Sequence, residues 1–503
     1  MSEKIHRGKI KTPPDPLVVK YLIEPAIKSD IKYRYQAFLD CNKAHVLMLA
    51  KQGIVTEPVA AAILKVNNEL AAMGDGPTFD VDPGREDFYF NIEAYLIEKV
   101  GIEIGGQQHT ARSRNDLYAT CARLAVRKAY FDICHVFNQM RQAVIDVAEA
   151  NKDAVFAGYT HMQPSEPITF AHYCSAILNA MERDYRRLAH CFEGLNICPL
   201  GGGSMGSTTW NIDREYTSKL LGFDKPVDNS IDCVASRDFT TDILAVLSLA
   251  ANTLSRLCQD LYVWATPDYG YIEVSDSCAV CSSIMPQKKN PWVLEHIKAK
   301  AAHVEGAFMS SLNVLKNVIY SHSEDTCGEC AKYLFTGIDE MREMCELMTV
   351  SIKGITVKKE RMIETAKGNF CTVTELANYL VRHDKISFRM AHDIVAEVVA
   401  HMIEHNKKAD EIGTDVVNPI FMKLFGRTTT MTDEEVRAAL DPKKIAYAKT
   451  CIGGTAPDEV QRQLDGRQDA LNRDNAELES REQAVAKAKA DMECAVSEMI
   501  AKA

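Results

Sequence analysis

The sequence predicts an all-α protein built on a bundle of long helices, and three observations predict it. Apolar residues recur at intervals of three and four over unusually long stretches. Clean period-2 alternation is scarce. Polar segments marked by Pro or Gly separate the long stretches cleanly, as connections between helices do.

Taken along the chain, the first such segment is "GGQQHTARSRND" (105 to 116). It delivers the chain into "DLYATCARLAVRKAYFDICHVFNQMRQAVIDVAEA" (116 to 150), where Leu117, Leu124, Ala129, Ile133, Phe137, Met140 and Val144 line one face of a single long helix. Ser113 with Asp116 three residues on forms the pattern of an N-terminal capping box. The second segment, "GYTHMQPSEP" (158 to 167), reads as a loop. A Gly-rich stretch, "LGGGSMGS" (200 to 207), has no phosphate-loop spacing and no strand before it, so it reads as a turn. Two further long helices are expected over 240 to 266 and 292 to 318, separated by "SDSCAVCSSIMPQKKNP" (275 to 291). In that segment Asn290 and Pro291 have the character of an N-cap and first-turn pair for the helix from Trp292.

After about residue 466 the pattern changes. Leu464, Leu471, Leu478, Val485, Met492 and Met499 fall at intervals of seven, while the second seam position is charged at Arg467, Asp474 and Arg481 and small only at Ala488 and Ala495. A two-stranded coiled coil needs both positions apolar, so a terminal helix docked on its own or a neighbouring subunit is expected instead.

Composition narrows the function classes. The chain has 503 residues, 46% hydrophobic and 25% charged, which is ordinary for a globular protein. A net charge of -11 leaves no basic excess for a nucleic-acid backbone. No run approaches the ~18 apolar residues that span a bilayer, and "MSEKIHRGKIKTPPDP" lacks the apolar core of a secretory signal, so a cytoplasmic protein is expected. The 16 cysteines then read as reduced thiols. Two pairs, Cys278/Cys281 and Cys327/Cys330, have zinc-like x2 spacing, but the stretch between them is far longer than a compact zinc ribbon uses, and small buried thiols are the plainer reading. No metal and no cofactor is expected.

The three polar segments carry more chemistry than connections require. Capping explains Asn290 and Pro291 but not Ser282, Ser283, Lys288 and Lys289; a loop offering Lys288, Asn290 and a hydroxyl at a helix start can hold a carboxylate and stabilise charge that grows on it. Arg112, Arg114 and Asn115 supply more anion donors than the Ser113 cap needs. Thr160 and His161 pair a hydroxyl donor with a group able to carry a proton near neutral pH.

"SSIMPQKKNP" resembles the signature loop of the fumarase/aspartase superfamily. "HTARSRND", "GYTHMQP", "SIDCVASRDF", "GGTAP" and "CTVTELANYLVRHDKISFRMAHDIV" together resemble its argininosuccinate lyase branch, in order from about residue 30 to 466. The resemblance implies a three-domain fumarase/aspartase-like fold, divided here at 1–111, 112–365 and 366–466 with an extension over 467–503. It implies a homotetramer whose active sites are each built from loops of three subunits. It also implies a small dicarboxylate-bearing substrate, an N-substituted aspartate cleaved by anti elimination to fumarate and an amine, argininosuccinate being the first candidate.

Position by position, the resemblance makes Ser282 the base that removes the Cβ proton, Lys288 and Asn290 the partners of the resulting charge, and Ser113, Asn115 and Thr160 holders of the succinyl carboxylates. His161 becomes a candidate general acid or orienting partner, with Glu295 pairing to it. Ser29 falls at a substrate-contacting serine, and Tyr320 at a substrate-contacting tyrosine, although an ungapped count from Lys316 puts His322 there.

The departures lie on the leaving-group side. Cys281 stands where the family has Gly, Trp292 where it has a small acid, Tyr33 where it has an acid, and "YSHSEDTCGECAK" (320 to 332) where it has a Gln- and Lys-bearing segment, with Lys332 the nearest cation. Two alternatives therefore stand beside argininosuccinate: a lyase for other N-substituted aspartates resembling ethylenediamine-disuccinate lyase, and an inactive crystallin-like structural protein.

Overall fold

The computed structural model describes residues 12–502; most of the opening stretch read above for a secretory signal, and Ala503, lie outside the described residues. Helices dominate. The first long one, α1 (Glu24–Lys51), packs with α2 (Glu57–Ala71) and α3 (Phe88–Val100), and together they bury Phe38, Leu39, Ile63, Leu64, Phe88 and Ile92 in one cluster. The central bundle comprises α4 (Arg114–Ala150), α5 (Phe170–Leu195), α6 (Asp238–Trp264), α7 (Trp292–Leu315) and α8 (Leu334–Gly354). Its shared core includes Ile133, Phe137, Leu244, Leu247, Leu254, Ile297, Met341 and Met344. A third cluster lies under α9 (Val373–Asp384), α10 (Phe388–Glu404) and α11 (Thr414–Phe425).

The 37 residues of α4 hold together through a capped N-terminus and an apolar face buried along the length of the helix. Ser113 and Asp116 close the capping box expected from sequence, and the apolar stripe buries against neighbouring helices, chiefly α8 and α5. Helix α7 starts at Trp292, but Asn290 is not its cap: the cap position is Pro291, with no side-chain bond, and the Asn290 amide instead donates to the Val280 carbonyl at 3.3 Å. A two-residue antiparallel ladder causes the switch, pairing β3 (Val280–Cys281) with β4 (Lys289–Asn290) and closing 282–288 into a loop.

The expected loop at 158–167 is a second departure, because it is a β-hairpin. Strands β1 (Val155–Thr160) and β2 (Gln163–Thr169) pair antiparallel from Val155↔Thr169 to Thr160↔Gln163, with a bulge at Gly158. Val155, Phe156, Ala157 and Thr169 bury its base, while Pro164 and Pro167, which lack a ladder N–H, disguise the strand in sequence.

The tail forms one uninterrupted helix, α12 (Pro457–Lys502), which begins well before residue 467 and runs through the expected start of the extension. It docks on its own chain. Leu464, Leu471 and Leu478 enter the bundle core, and Met492 and Val496 enter the α1–α3 cluster. The charged seam positions find partners on the bundle: Arg467 pairs with Glu182 at 2.7 Å, Asp474 with the buried Arg141 at 2.6 Å, and Arg481 donates to Tyr130 and to the Ala189 carbonyl. Among the described residues no helix is long and apolar enough to cross a membrane.

Candidate active site

The loop 282–288 is built around its first serine. Ser282 Oγ accepts backbone N–H bonds from Met285 at 3.0 Å and Ile284 at 3.3 Å, so the turn points two amide dipoles at one oxygen. That arrangement favours negative charge on the oxygen. The two lysines divide their roles. Lys289 is tied to Asp276 at 2.6 Å and Glu273 at 3.3 Å, and Glu273 is held below the usual carboxylate range by its bonds to Lys358 and Lys289. Lys288 is exposed and, among the described residues, its ammonium has no partner. Ser283 is exposed in the same way. Glu295, one turn into α7, accepts from the Tyr262 hydroxyl at 3.2 Å.

Thr160 and His161 ride at the hairpin tip. The tip is fixed from below by a Tyr159–Tyr271 hydroxyl contact of 3.0 Å and from the side by Lys449, which reaches Glu166 at 2.5 Å and the Pro167 carbonyl. His161 (φ 54°) and Met162 (φ 60°) both adopt the left-handed conformation, where hairpins normally use Asn-Gly. Such conformations cost about 1–2 kcal/mol per residue, so this turn presents an exposed imidazole at the expense of backbone strain.

The segment 112–115 separates into inward and outward groups. Arg112 is buried and donates to the Tyr89 hydroxyl at 3.0 Å, leaving its Nε and Nη1 without partners. Arg114 pairs with Asp87 at 2.5 Å and lies over the Phe90 ring. Asn115 faces outward and donates to the Ser204 carbonyl at 3.1 Å. Ser113 caps α4 beside it.

The Gly-rich turn earns a role that its spacing does not announce. Gly201 and Gly203 donate backbone N–H to the buried Asp116 carboxylate at 2.8 and 3.0 Å. At Gly203 a Cβ would sit 2.5 Å from the Ser207 carbonyl oxygen, so the turn admits no side chain. Burial pushes Asp116 up to about 6, although those amides and Arg112 pull the other way. The sequence signal for this tie was only the capping-box spacing.

Ser29 lies half-buried on α1 next to Asp30, which pairs with Arg34 at 2.9 Å. Tyr33 stacks on Phe335 with ring centroids 4.1 Å apart and planes 3° from parallel. Tyr320 donates to Asp232, a bond that pushes its phenol up to about 12. His322 is half-buried within electrostatic reach of Arg237 and Arg114, and burial first and those cations second hold it below the usual imidazole range. Of the cysteine pairs, Cys278 and Cys330 are buried, Cys327 is half-buried and Cys281 is exposed. Among the described residues no three His, Cys, Asp or Glu side chains are grouped to hold a metal.

Within one chain, the segments 112–115, 160–161 and 282–290 are not joined to one another by any hydrogen bond or ion pair among the described residues. Each is presented on its own rigid support: the N-terminus of α4, a hairpin tip, and the ladder before α7.

A lyase family profile matches residues 15–306, and a profile for the argininosuccinate lyase C-terminal region matches 370–446. Argininosuccinate lyase 1 of Shouchella clausii is 44% identical over 478 residues, covering 95% of this chain and 96% of that one. Argininosuccinate lyase of Methanocaldococcus jannaschii is 35% identical, covering 96% and 98%. The crystal structure of EDDS lyase in complex with formate superposes with a TM-score of 0.86 at 30% identity, covering 97% of each chain. A fumarate lyase from Mesorhizobium, at 20% identity and a TM-score of 0.70, shares the fold. The chain belongs to the lyase family and, within it, to the argininosuccinate lyase branch of carbon–nitrogen lyases.

Proposed function

We propose that the protein cleaves argininosuccinate to arginine and fumarate by anti β-elimination, with Ser282 as the base. The observation that carries the role of Ser282 is the pair of backbone amides trained on its Oγ, in a loop that also carries Lys288, whose ammonium has no partner among the described residues. An unassisted serine hydroxyl is a poor base; two amide dipoles and the Lys288 charge favour its alkoxide. The alkoxide takes the Cβ proton, and the freed electron pair moves onto the adjacent carboxylate as an aci-carboxylate that Lys288 and Asn290 stabilise. The pair then returns to form the carbon–carbon double bond as the C–N bond breaks. The departing nitrogen takes a proton from a general acid, for which His161, oriented by Glu295, is the candidate. Ser113, Asn115 and Thr160 hold the succinyl carboxylates, with Arg112, Arg114, Ser283, Ser29 and Tyr320 as further binding candidates.

We further infer a homotetramer in which three subunits complete each site, in a three-domain arrangement divided near 111, 365 and 466. The separation of the three loops within one chain, each on a rigid support, favours this reading. A second reading is favoured by Tyr33: its ring stacks on Phe335 where the family pattern has an acid, which suits an N-substituted aspartate other than argininosuccinate, as the likeness to EDDS lyase also suggests.

Ultraviolet detection of fumarate across argininosuccinate, adenylosuccinate and diamine-derived disuccinates separates these readings. Ser282→Ala should lower turnover by at least ~10²–10⁴-fold while leaving assembly intact. Near-normal turnover in that variant would remove the serine from its role.

A further inference from the structure

The four residues before the Ser113 cap form a turn of a particular kind. Arg112 donates its backbone N–H to the His109 carbonyl at 3.3 Å, Thr110 has φ -56° and ψ 134°, and Ala111 has φ 63°. Those angles mark a type II turn, whose third residue is left-handed and is ordinarily Gly. An alanine there favours the type I alternative, which differs by a flip of the Thr110–Ala111 peptide and contains no left-handed residue. Groups outside the turn must therefore hold it.

Two side chains from different helices do so. His45 on α1 meets the Thr110 carbonyl, the group that a flip would turn away, through Nε2 at 2.9 Å. A carbonyl only accepts, so the ring donates from Nε2. His45 is buried, and burial first and Arg112 second hold it well below the usual imidazole range, so it stays neutral with that one donor in place. Tyr89 on α3 spans the two ends of the turn: its hydroxyl accepts from Arg112 Nη2 at 3.0 Å and lies 2.9 Å from His109 Nδ1. Because Arg112 can only donate, the single phenolic proton goes to His109 Nδ1. Burial, with Arg112 and Arg114, holds His109 down to about 3, and burial pushes Tyr89 up to about 12, so the acceptor stays neutral and the donor keeps its proton.

We propose that His45 and Tyr89 are positioning residues for the elimination: they hold the turn His109–Arg112 in a type II form that its own alanine disfavours, and so aim Ser113 and Asn115 at the substrate. Ser113 follows Arg112 directly, so the exit direction of the turn sets where the next residues point. The inference rests on the lyase reading and on the assignment of Ser113 and Asn115 to the succinyl carboxylates, and adds the device that orients them. Misplacing groups that hold a substrate weakens its capture more than it slows the chemistry of what is captured.

Steady-state fumarate release from argininosuccinate by the full-length protein tests it. His45→Leu and Tyr89→Phe should each raise KM by about tenfold and leave kcat within about threefold. Ala111→Gly alone should leave both constants within about twofold. Added to either variant, Ala111→Gly should return KM to within about threefold of the native value, because glycine keeps a left-handed turn without outside support. That rescue separates positioning from packing, since a merely structural loss at His45 or Tyr89 is not repaired by a glycine in the turn. A KM unchanged in both variants, or a raised KM that Ala111→Gly fails to lower, overturns the proposal. Tyr89→Phe keeps the test open if His45→Leu does not fold. Absence of fumarate from the native protein counts against the lyase reading itself, and crystal structures of the two variants then decide the inference alone: a flipped Thr110 carbonyl with Ala111 at negative φ supports it, and an unchanged type II turn overturns it.

Discussion

At the scale of single residues, adjacent lysines in one loop have opposite assignments. Lys289 is spent on Asp276 and Glu273, whereas the Lys288 ammonium has no partner among the described residues. Lys288→Met should therefore lower kcat by about 10²–10³-fold, the magnitude of losing one preorganised donor to a developing charge, and Lys289→Met should cost only a few-fold. Steady-state fumarate release on the two variants checks the order, and equal losses would contradict it. The hairpin tip offers a second test. Met162→Gly relieves a left-handed side chain and should raise stability by about 1 kcal/mol, read as a higher denaturant midpoint; a lowered midpoint would show that Met162 makes contacts that outweigh the strain. Ser282 and Lys288 stand out in the sequence as candidates because hydroxyls and cations are concentrated in a few consecutive residues that capping cannot explain. The place of Asn290 does not, since a cap and a ladder partner look alike in sequence, and only the pairing of Val280 with Asn290 decides between them.

Among elements, the start of α4 joins a cap to the Gly-rich turn through one carboxylate. With its proton held more tightly in the fold, near 6, than in the unfolded chain, near 4, Asp116 contributes most to stability below about pH 4 and loses that contribution as pH rises through 6. The unfolding free energy of the native protein relative to Asp116→Asn should accordingly fall by about 2–3 kcal/mol between pH 4 and 7; a flat difference would refute the shift. Helix α12 gives a packing test. Leu471 is 1% exposed in the bundle core, so Leu471→Ala should cost about 2–5 kcal/mol in chemical denaturation. Its sevenfold repeat was readable, and so was the mismatch of its second seam; the partners of Arg467, Asp474 and Arg481 lie on α4 and α5, hundreds of residues away in sequence, where no local pattern can point. The hairpin is hidden in the sequence for a related reason. Its two prolines and the bulge at Gly158 break the alternation by which strands are recognised.

On the scale of the whole molecule, separated loops make a prediction about mixtures. If three subunits complete each site, Ser282→Ala and His161→Asn proteins, each inactive alone, should regain part of the activity when unfolded together and reassembled, because some sites then draw both intact loops from different chains. No recovery in mixed assemblies would count against sharing. The route of α12 has a further consequence, for heat. One 46-residue rod is stitched into both the N-terminal cluster and the bundle, with Leu464 at one end and Val496 near the other, while the α9–α11 cluster keeps its own apolar interior. A calorimetric scan should show the rod-linked masses melting as one endotherm, with the α9–α11 portion free to melt at a temperature of its own.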